Sequence, residues 1–457
     1  MLRERTKSLW VGILLGSIFC AALFMRLNFL QTHHHTYDFS RLTLEHGVLA
    51  HNFLHGYGFL NNEKGDALDE RQQAEKRLID PEEFKDELDP RFNYASAHEV
   101  PGYALLLATT WEIFGQEKYI YLQIIQIVID SLMVFLIYWI GKTISRRRRV
   151  GIVSSFLFLV FIPEARISIV ALRDVWATFI LLSLIALTLY AQSSNQPKKR
   201  LFIYCALGFV YGLGLLIHPM LQFFLPFIAL SIAMSFGVKE AFRTIFFSGI
   251  VVFIVLFPWI HRNYHYFQKV IPTRDVQWQG IWESFGQFSD NPFGARASDD
   301  ETCEDIKKKA SYIGPCWTPH STDVLRTMVM AAVQEYPEWS FMSIIRRMPH
   351  FFSVSFTWTL PFLEKNSQPL PESISSYFSV VLQILAATSL FFARSRSKEY
   401  RILFFIPIYL FFLFLPLHIE SRYFVSLFVV YSILAASSIV SFSEIGIKYL
   451  HSSRSKR

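Results

Sequence analysis

Long apolar runs with few charges constrain this chain more than any other feature of its sequence. The first covers residues 8–25, and others recur along the rest of the chain. A helix needs roughly 20 mostly apolar residues to cross the hydrocarbon of a bilayer, so such runs are predicted to be transmembrane helices. The further candidates are 119–141, 151–163, 175–191, 201–217, 221–236, 244–260, 373–392, 402–417 and 424–441. The predicted fold class is an all-α polytopic membrane protein with roughly ten transmembrane helices.

The composition agrees with this fold class and excludes several others. The 457 residues are 52% hydrophobic and only 18% charged. Soluble proteins carry about 25% charged residues, so a soluble enzyme is excluded. Four cysteines are too few for a disulfide-dense secreted scaffold. The formal net charge of +7 comes from clusters between the apolar runs and not from one basic patch, so no nucleic-acid partner is expected.

The basic clusters predict how the helices are oriented. Lys and Arg precede the first run, follow the second, fourth, sixth and eighth runs, and form the C-terminal tail. In a chain of roughly ten spans, all of these clusters fall on one side, which the positive-inside rule makes cytoplasmic. No small-residue cleavage site follows the first run, so it is interpreted as an anchor and not as a removed signal peptide.

Two long polar segments then lie on the extracytoplasmic side. Residues 30–100 contain an acidic stretch, and residues 261–372 form a larger insert that is rich in Trp, Gly and Asn. The predicted organisation is an N-terminal transmembrane module with its outer loop, the insert, and C-terminal helices with a short cytoplasmic tail, at 1–260, 261–372 and 373–457. Cys303 and Cys316 of the insert lie on the oxidising side, where a disulfide between them is chemically feasible.

Two sets of polar residues are candidates for function. Asp130 lies inside a predicted span, where a carboxylate is costly and by default functional, although pairing with Gln126 or Gln123 would explain it without a function. The other set lies at the outer ends of the spans and comprises His33, His34, His35, Tyr37, Asp38, Glu164, Arg166, Arg173, Asp174, His218, His261, Arg262, Asn263, His418, Glu420, Arg422 and Tyr423. These residues either converge on one cavity or only snorkel into water. A convergent cavity would suit a lipid-linked anionic substrate, because Arg and His hold phosphate and a carboxylate accepts a proton.

Five segments on the predicted outer side follow one another in a characteristic order. Asp38 opens a segment that ends in a Gly56-Tyr57-Gly58 turn. The other four are Glu99-Val-Pro-Gly-Tyr103, Leu213-Gly-Leu-Leu-Ile-His-Pro219, Pro258-Trp-Ile-His-Arg-Asn-Tyr264 and His418-Ile-Glu-Ser-Arg-Tyr423. Together they resemble the polytopic GT-C fold glycosyltransferases of the protein mannosyltransferase and aminoarabinose transferase type, which use dolichyl- or polyprenyl-phosphate sugars. Three positions depart from the motifs of that family, where a carboxylate, a proline and an arginine are replaced by Phe39, Val100 and His218.

This resemblance implies a GT-C-like fold and an active site on the outer face of the membrane. Asp38 is then expected to be the general base, which removes a proton from an acceptor hydroxyl as that hydroxyl attacks the anomeric carbon with inversion. The donor phosphate is expected to bind Arg262, Arg422 and His218, since a guanidinium presents a planar fork of donors. The acceptor or the sugar is expected to bind Glu99, Tyr103 and Glu420. The implied enzyme is a hexosyl- or pentosyltransferase with a lipid-phosphate-sugar donor.

The resemblance also implies the partners and leaves two other functions open. The expected partners are a polyprenyl-phosphate-linked sugar, an acceptor that is a lipid, a glycan or a protein, and the bilayer itself. No firm cofactor follows, although the three histidines near Asp38 leave a divalent metal open. Relatives this compact are typical of bacteria, so the bacterial inner membrane is the expected location. The alternatives are a transporter or flippase of lipid-linked sugars, with functional charges near the midplane, and a non-catalytic scaffold that binds a partner through 261–372.

Overall fold

The computed structural model of the chain describes residues 2–33, 39–62, 90–351, 372–391, 398–419 and 421–454. Ten helices precede the insert within these ranges: α1 Leu2–His33, α2 Phe39–Leu54, α3 Pro101–Phe114, α4 Tyr119–Ser145, α5 Arg148–Leu159, α6 Ile162–Ile167, α7 Asp174–Ser193, α8 Pro197–Ile217, α9 Leu225–Phe236 and α10 Val238–Phe267. The later helices are α11 Gln277–Gly286, α12 Asp299–Lys309, α13 Pro319–Glu335, α14 Pro337–Arg347, α15 Glu372–Thr388, α16 Arg401–Phe414 and α17 Val425–Arg454. The described residues also include an antiparallel hairpin, β1 Leu60–Asn62 with β2 Asn93–Ala95. The predicted all-α architecture is confirmed.

Seven helices of the described part are long and apolar enough to cross a membrane, and each covers a predicted span. They are Leu9–Thr32, Tyr119–Ser145, Asp174–Ser193, Pro197–Ile217, Pro219–Phe236, Val238–Phe267 and Arg422–Lys448. The predicted runs 151–163, 373–392 and 402–417 are helical too, but α5, α15 and α16 have only 12, 17 and 14 residues. In the first of these runs the chain breaks before Pro163, because proline fits the first turn of a new helix but not the interior of an existing one.

The carboxylate that the sequence places inside a span has a partner in the bundle. Asp130 of α4 forms a fully buried ion pair with Arg26 of α1. Gln126, which the sequence offered as a partner of Asp130, instead donates to the backbone carbonyls of Ser168 and Val170 at 3.0 and 2.7 Å. Asp130 therefore pairs with a residue of α1 and not with a neighbour in its own helix, α4.

The basic clusters meet at one end of the bundle. Arg146 and Arg147, which follow α4, pair with Glu399 before α16 and Glu444 of α17 at 3.3 and 2.9 Å. Arg200, in the first turn of α8, pairs with Glu240 at 3.4 Å. At about 1.5 Å per residue, the 21 residues of α8 span roughly 31 Å, close to the thickness of the bilayer hydrocarbon. The opposite end of α8 is therefore the other face of the bundle.

The insert has a small hydrophobic core of its own. Its helices α11, α12 and α13 bury apolar side chains against one another, and these include Trp282, Phe285, Ile306, Leu325 and Val329. A disulfide joins Cys303 to Cys316, as the sequence allowed. Trp282 donates from its indole nitrogen to Asp305 at 3.0 Å, so the buried polar group of this core is satisfied.

Candidate functional site

A cavity of about 360 Å³ lies where the insert meets the ends of the bundle helices. Its walls come from α2, from the segment after β2, from the ends of α7 and α8, from α11 and α12, and from the loop after α16. The side chains that carry its chemistry are Glu45, His46, His98, Glu99, Arg173, His218, Arg274, Glu283, Asp299, His418 and Arg422. The predicted convergence of outer-end residues on one cavity is thus observed for Arg173, Asp174, His218, His418, Arg422 and Tyr423.

Backbone contacts from the insert fix the loops that form the walls. Ser96 Oγ donates to the carbonyl of Trp317 at 2.9 Å. The amide of His418 donates to the carbonyl of Gly280 at 2.8 Å. The insert is therefore part of the cavity, because these bonds position the segments that carry His98, Glu99 and His418.

One wall of the cavity is basic. Arg173, the N-cap residue of α7, forms an ion pair with Glu99, and Arg274 lies 3.8 Å from the other oxygen of the same carboxylate. Burial, and then the charge of Arg274, lower the pKa of Arg173 to about 9. Arg422 adds a further positive charge to this cluster. Two guanidinium groups share the single carboxylate of Glu99, so the wall keeps an excess of positive charge. This excess suits an anion such as a phosphate.

Two histidines beside the basic wall are held neutral. Burial, followed by the charge of Arg173, lowers the pKa of both His46 and His218 well below the usual range. His218 Nδ1 accepts a hydrogen bond from the amide of Met220 at 3.2 Å, so its proton resides on Nε2. His218 is thus a neutral hydrogen-bond donor and adds no further positive charge to the arginines of the basic wall.

The other walls carry carboxylates. Glu45 Oε2 lies 2.9 Å from His98 Nδ1. Burial lowers the pKa of His98, but the charge and the hydrogen bond of Glu45 outweigh it and raise the pKa above its ordinary value. Glu45 and His98 therefore form a charge-assisted pair that joins α2 to the segment after β2.

A carboxyl pair from the insert completes the site. Gln279 Nε2 donates to Glu283 Oε1 at 2.8 Å and to Asp299 Oδ1 at 2.7 Å. Burial, and then the negative charge of Asp299, raise the pKa of Glu283 to about 7. His418 Nδ1 lies 3.5 Å from Glu283 Oε2. With a pKa of about 7, Glu283 is able to give or take a proton within the cavity near neutral pH.

Three neighbouring side chains of the cavity are of the types that bind divalent cations. The oxygens of Glu45 and Glu99 and a ring nitrogen of His98 lie within 4.8 Å of one another. Carboxylate and imidazole ligands suit zinc or manganese. The histidines 33–35 and Asp38, near which the sequence left a metal open, have side chains outside the described residues.

Comparison with solved structures identifies the fold. The chain superimposes over 98% of its length on the archaeal oligosaccharyltransferase AglB from Archaeoglobus fulgidus, in complex with an inhibitory peptide and a dolichol-phosphate, with a TM-score of 0.53 and 14% identity. The apo form of the Archaeoglobus fulgidus oligosaccharyltransferase gives a TM-score of 0.52 and 15% identity over the same share. The chain has the GT-C fold. This confirms the fold that the sequence motifs implied.

The likeness extends to the fold alone. The chain spans about half, 52%, of the length of both archaeal structures. ArnT from Cupriavidus metallidurans bound to undecaprenyl phosphate matches 95% of this chain and 78% of its own at 10% identity, with a TM-score of 0.36. No protein-family model and no curated protein matches the sequence. The activity, the donor and the site residues therefore stay predictions.

Within the GT-C fold, the residues predicted from sequence divide into three groups. The cavity is lined by Glu99, His218 and Arg422. Tyr103 is fully buried behind the cavity, where its ring packs edge-on against His46 with centroids 5.1 Å apart. Outside the described residues lie Asp38 and Glu420.

Arg262, the other predicted phosphate ligand, lies outside the cavity lining. Its guanidinium donates to the carbonyl of Phe59 at 2.5 Å and to that of Ser96 at 2.8 Å, and it stacks 4.8 Å above the ring of Trp259. These carbonyls flank the β1–β2 hairpin. In this structure Arg262 therefore ties the hairpin to α10, which positions the segment that leads to Glu99.

Several cavity residues were not singled out from the sequence. Glu45 lies in the segment that Asp38 opens, and His98 directly precedes Glu99 in the sequence. This closeness in sequence to two predicted site residues is the signal by which they could have been predicted. Arg274, Glu283 and Asp299 come from the insert, which has no motif of its own. Only the tertiary fold brings these three side chains to the basic wall.

Proposed function

We propose that this protein is a membrane glycosyltransferase that moves a sugar from a polyprenyl-phosphate donor to an acceptor hydroxyl on the extracytoplasmic face. One observation carries the proposal: a cluster of arginines faces hydrogen-bonded carboxyl groups across a single cavity. Sugar transfer from a phosphate donor uses both, a cationic group for the leaving phosphate and a base for the acceptor. The GT-C fold supports it, as does the dolichol-phosphate in the AglB complex.

In this proposal the basic wall binds the donor phosphate. Arg173 and Arg274 take the place that the sequence gave to Arg262, while Arg422 and the Nε2–H of His218 keep their predicted role. The bond between the anomeric carbon and the phosphate oxygen breaks, and negative charge grows on polyprenyl phosphate as it leaves. Guanidinium groups that are already in place and partly shielded from water stabilise this charge without reorganisation.

The proton of the acceptor hydroxyl goes to a carboxylate. Asp38 stays the proposed base; it directly precedes α2, whose Glu45 lies in the cavity. As the base takes the proton, the acceptor oxygen bonds to the anomeric carbon from the face opposite the phosphate, so the product is inverted. Glu99 and Glu420 remain the residues proposed to orient the acceptor or the sugar. Burial raises the pKa of Glu283 to about 7, so a smaller fraction of this carboxyl group is ionised at neutral pH than of an ordinary carboxylate, and we do not assign it the role of base.

A divalent cation fits the proposal without being required by it. Glu45, His98 and Glu99 would hold such an ion, which would supply positive charge beside the phosphate. The side chains of this chain perform the remaining tasks: the arginines bind the phosphate, and the carboxylates accept the proton.

The proposed location follows from the two ends of the bundle. The basic clusters occupy one end, and the cavity lies at the other, beyond the end of α8 at His218. By the positive-inside rule, this arrangement supports a cytoplasmic basic end and a cavity on the extracytoplasmic face. We infer that the protein acts at the outer face of a cell membrane, with the bacterial inner membrane as the proposed membrane.

Release of polyprenyl phosphate tests the proposal. The purified parent, Asp38→Asn and Arg274→Gln are incubated with a panel of polyprenyl-phosphate sugars and with lipid, glycan and peptide acceptors. The parent is expected to turn over, Asp38→Asn to bind donor without turnover, and Arg274→Gln to lose donor binding. Arg326→Gln, which removes an exposed arginine of α13, is the matched control and should behave as the parent.

Two outcomes would contradict the proposal. Equal turnover by the parent and by an equally stable Asp38→Asn would remove Asp38 from the mechanism. The absence of turnover with every donor, together with movement of a labelled lipid-linked sugar across reconstituted vesicles, would favour the transporter alternative.

A further inference from the structure

We propose a transition-metal site outside the cavity, formed by His51 and His55 of α2 and by Glu117, which lies two residues before α4. His51 Nδ1 lies 2.8 Å from Glu117 Oε2, and His55 Nε2 lies 3.1 Å from Glu117 Oε1. The ligand atoms of the three residues lie within 4.8 Å of one another. None of them lines the cavity, so the site is independent of the proposed sugar transfer.

The three side chains form a donor set that zinc uses. Two imidazoles four residues apart lie on the same face of a helix. With one carboxylate they give two His ligands and one Glu, a set in which zinc keeps its fourth position for water. Tetrahedral ligands at about 2.0–2.1 Å from the ion lie roughly 3.3 Å apart. The separations of 2.8 and 3.1 Å are close to this spacing, so a small rotation of the Glu117 carboxylate admits the ion.

Contacts around the three ligands hold them in place. Gly115, at the end of α3, has a φ of 66° that favours glycine, and the resulting turn directs the next residues towards α2. Gly47 of α2 lies so close to the hydroxyl of Tyr119 that a Cβ there would overlap it. The start of α4 is therefore pressed against α2 one turn before His51. A site formed by α2 and by the short loop that leads into α4, both held in this way, is preorganised for binding.

An ion pair alone accounts poorly for this arrangement. The side chain of His55 is 49% exposed, and exposed ion pairs contribute little to stability. The same exposure gives an ion access from solvent, while His51 and Glu117 are largely shielded, at 14% and 12%. A bound ion would tie the end of α2 to the start of α4. The same helix carries Glu45, which lines the cavity two turns earlier.

Zinc binding by the full-length chain tests the proposal. The purified protein is freed of metal with a chelator and titrated with ZnCl₂, and zinc content and melting temperature are measured. We expect a single zinc ion at this site and a higher melting temperature, because a ligand of the folded state stabilises it by mass action. His55→Ala and Glu117→Gln are expected to lose this ion and the thermal shift. Without metal, the melting temperature of His55→Ala should stay near that of the parent, since His55 is half exposed.

Two further variants make the result specific. His265→Ala removes an exposed histidine of α10 and is expected to bind zinc as the parent does. His98→Ala probes the cluster in the cavity and should retain the ion that His55→Ala loses. Zinc that is kept by His55→Ala and lost by His98→Ala would overturn the proposal, and so would the absence of saturable binding in the parent. Because metal content is measured and not turnover, the outcome does not depend on the glycosyltransferase proposal.

Discussion

Arg26 of α1 and Asp130 of α4 form an ion pair whose side chains are completely buried inside the helical bundle. Arg26 also donates to the carbonyl of Ala22 at 3.3 Å and lies over the ring of Phe158, 5.1 Å from its centroid. The pair thus connects the first helix to α4 and α5. It gives Asp130 a structural partner, so a functional role of this carboxylate in transport is not needed to explain it.

Removing one partner of this pair is expected to destabilise the protein. Asp130→Asn leaves the Arg26 charge buried without its counter-ion, which costs about 3–5 kcal/mol. Arg26→Met combined with Asp130→Leu removes both charges and should restore most of the lost stability. Unfolding of the three proteins in one detergent measures the difference. A double variant as unstable as Asp130→Asn, or a single variant as stable as the parent, would contradict the expected role of the pair.

Close packing of α8 against α10 leads to a second prediction. A Cβ on Gly208 would lie 2.5 Å from the carbonyl oxygen of Ser248, whereas a Cβ on Gly249 would meet nothing within 4 Å. Small residues let membrane helices approach each other in this way. Gly208→Ala should therefore separate the helices at a cost of about 1–3 kcal/mol. Gly249→Ala is the matched control and should be neutral or stabilising, because alanine favours a helix by up to about 1 kcal/mol. Melting temperatures that fall equally in both variants would contradict the prediction.

The helices were predictable because the signal for a membrane span is local. The run 119–141 identifies α4 from composition alone, and Asp130 is recognisable as an exception within it. Its partner Arg26 was not predictable, since 104 residues separate the two and the partner lies just beyond the end of the first run. Helix lengths were less predictable, because packing and Pro163 decide where α5 ends.

The candidate site was predictable only where motifs marked it. Glu99, His218 and Arg422 lie in the recognised segments and meet in the cavity. Glu283 and Asp299 lie in an insert without a motif, and only the packing of α11 and α12 against the loop after α16 brings them to the others. Local sequence carries no information on such long-range contacts.

The carboxylate shared by two arginines leads to a third prediction. Glu99 pairs with Arg173 and lies 3.8 Å from Arg274, so it competes with any phosphate that binds there. Glu99→Gln should bind polyprenyl phosphate more tightly, by about tenfold or more, because one charge-assisted contact is worth about 1.5–3 kcal/mol. Without ligand this variant should melt below the parent, since two buried cations lose their counter-ion. Adding polyprenyl phosphate should then raise its melting temperature more than that of the parent. Weaker binding by Glu99→Gln would contradict an anion-binding role for this wall.

The carboxyl pair of the insert predicts how stability depends on pH. The ordinary pKa of a glutamate is 4.5, and burial with the charge of Asp299 raises that of Glu283 to about 7. Between these values the unfolded chain releases a proton that the folded chain keeps, so the stability that Glu283 contributes is fully present below pH 4.5 and is lost as the pH rises through 7.

Glu283→Gln cannot ionise and should lack this loss. Measured from about pH 5 to pH 8, its melting temperature is expected to rise relative to that of the parent as the pH increases, while the two proteins differ least in acid. Glu338→Gln changes an exposed glutamate of α14 and should follow the parent at every pH. If the curves of Glu283→Gln and the parent run parallel over this range, the pKa of Glu283 is not raised in the folded protein, and the prediction is wrong.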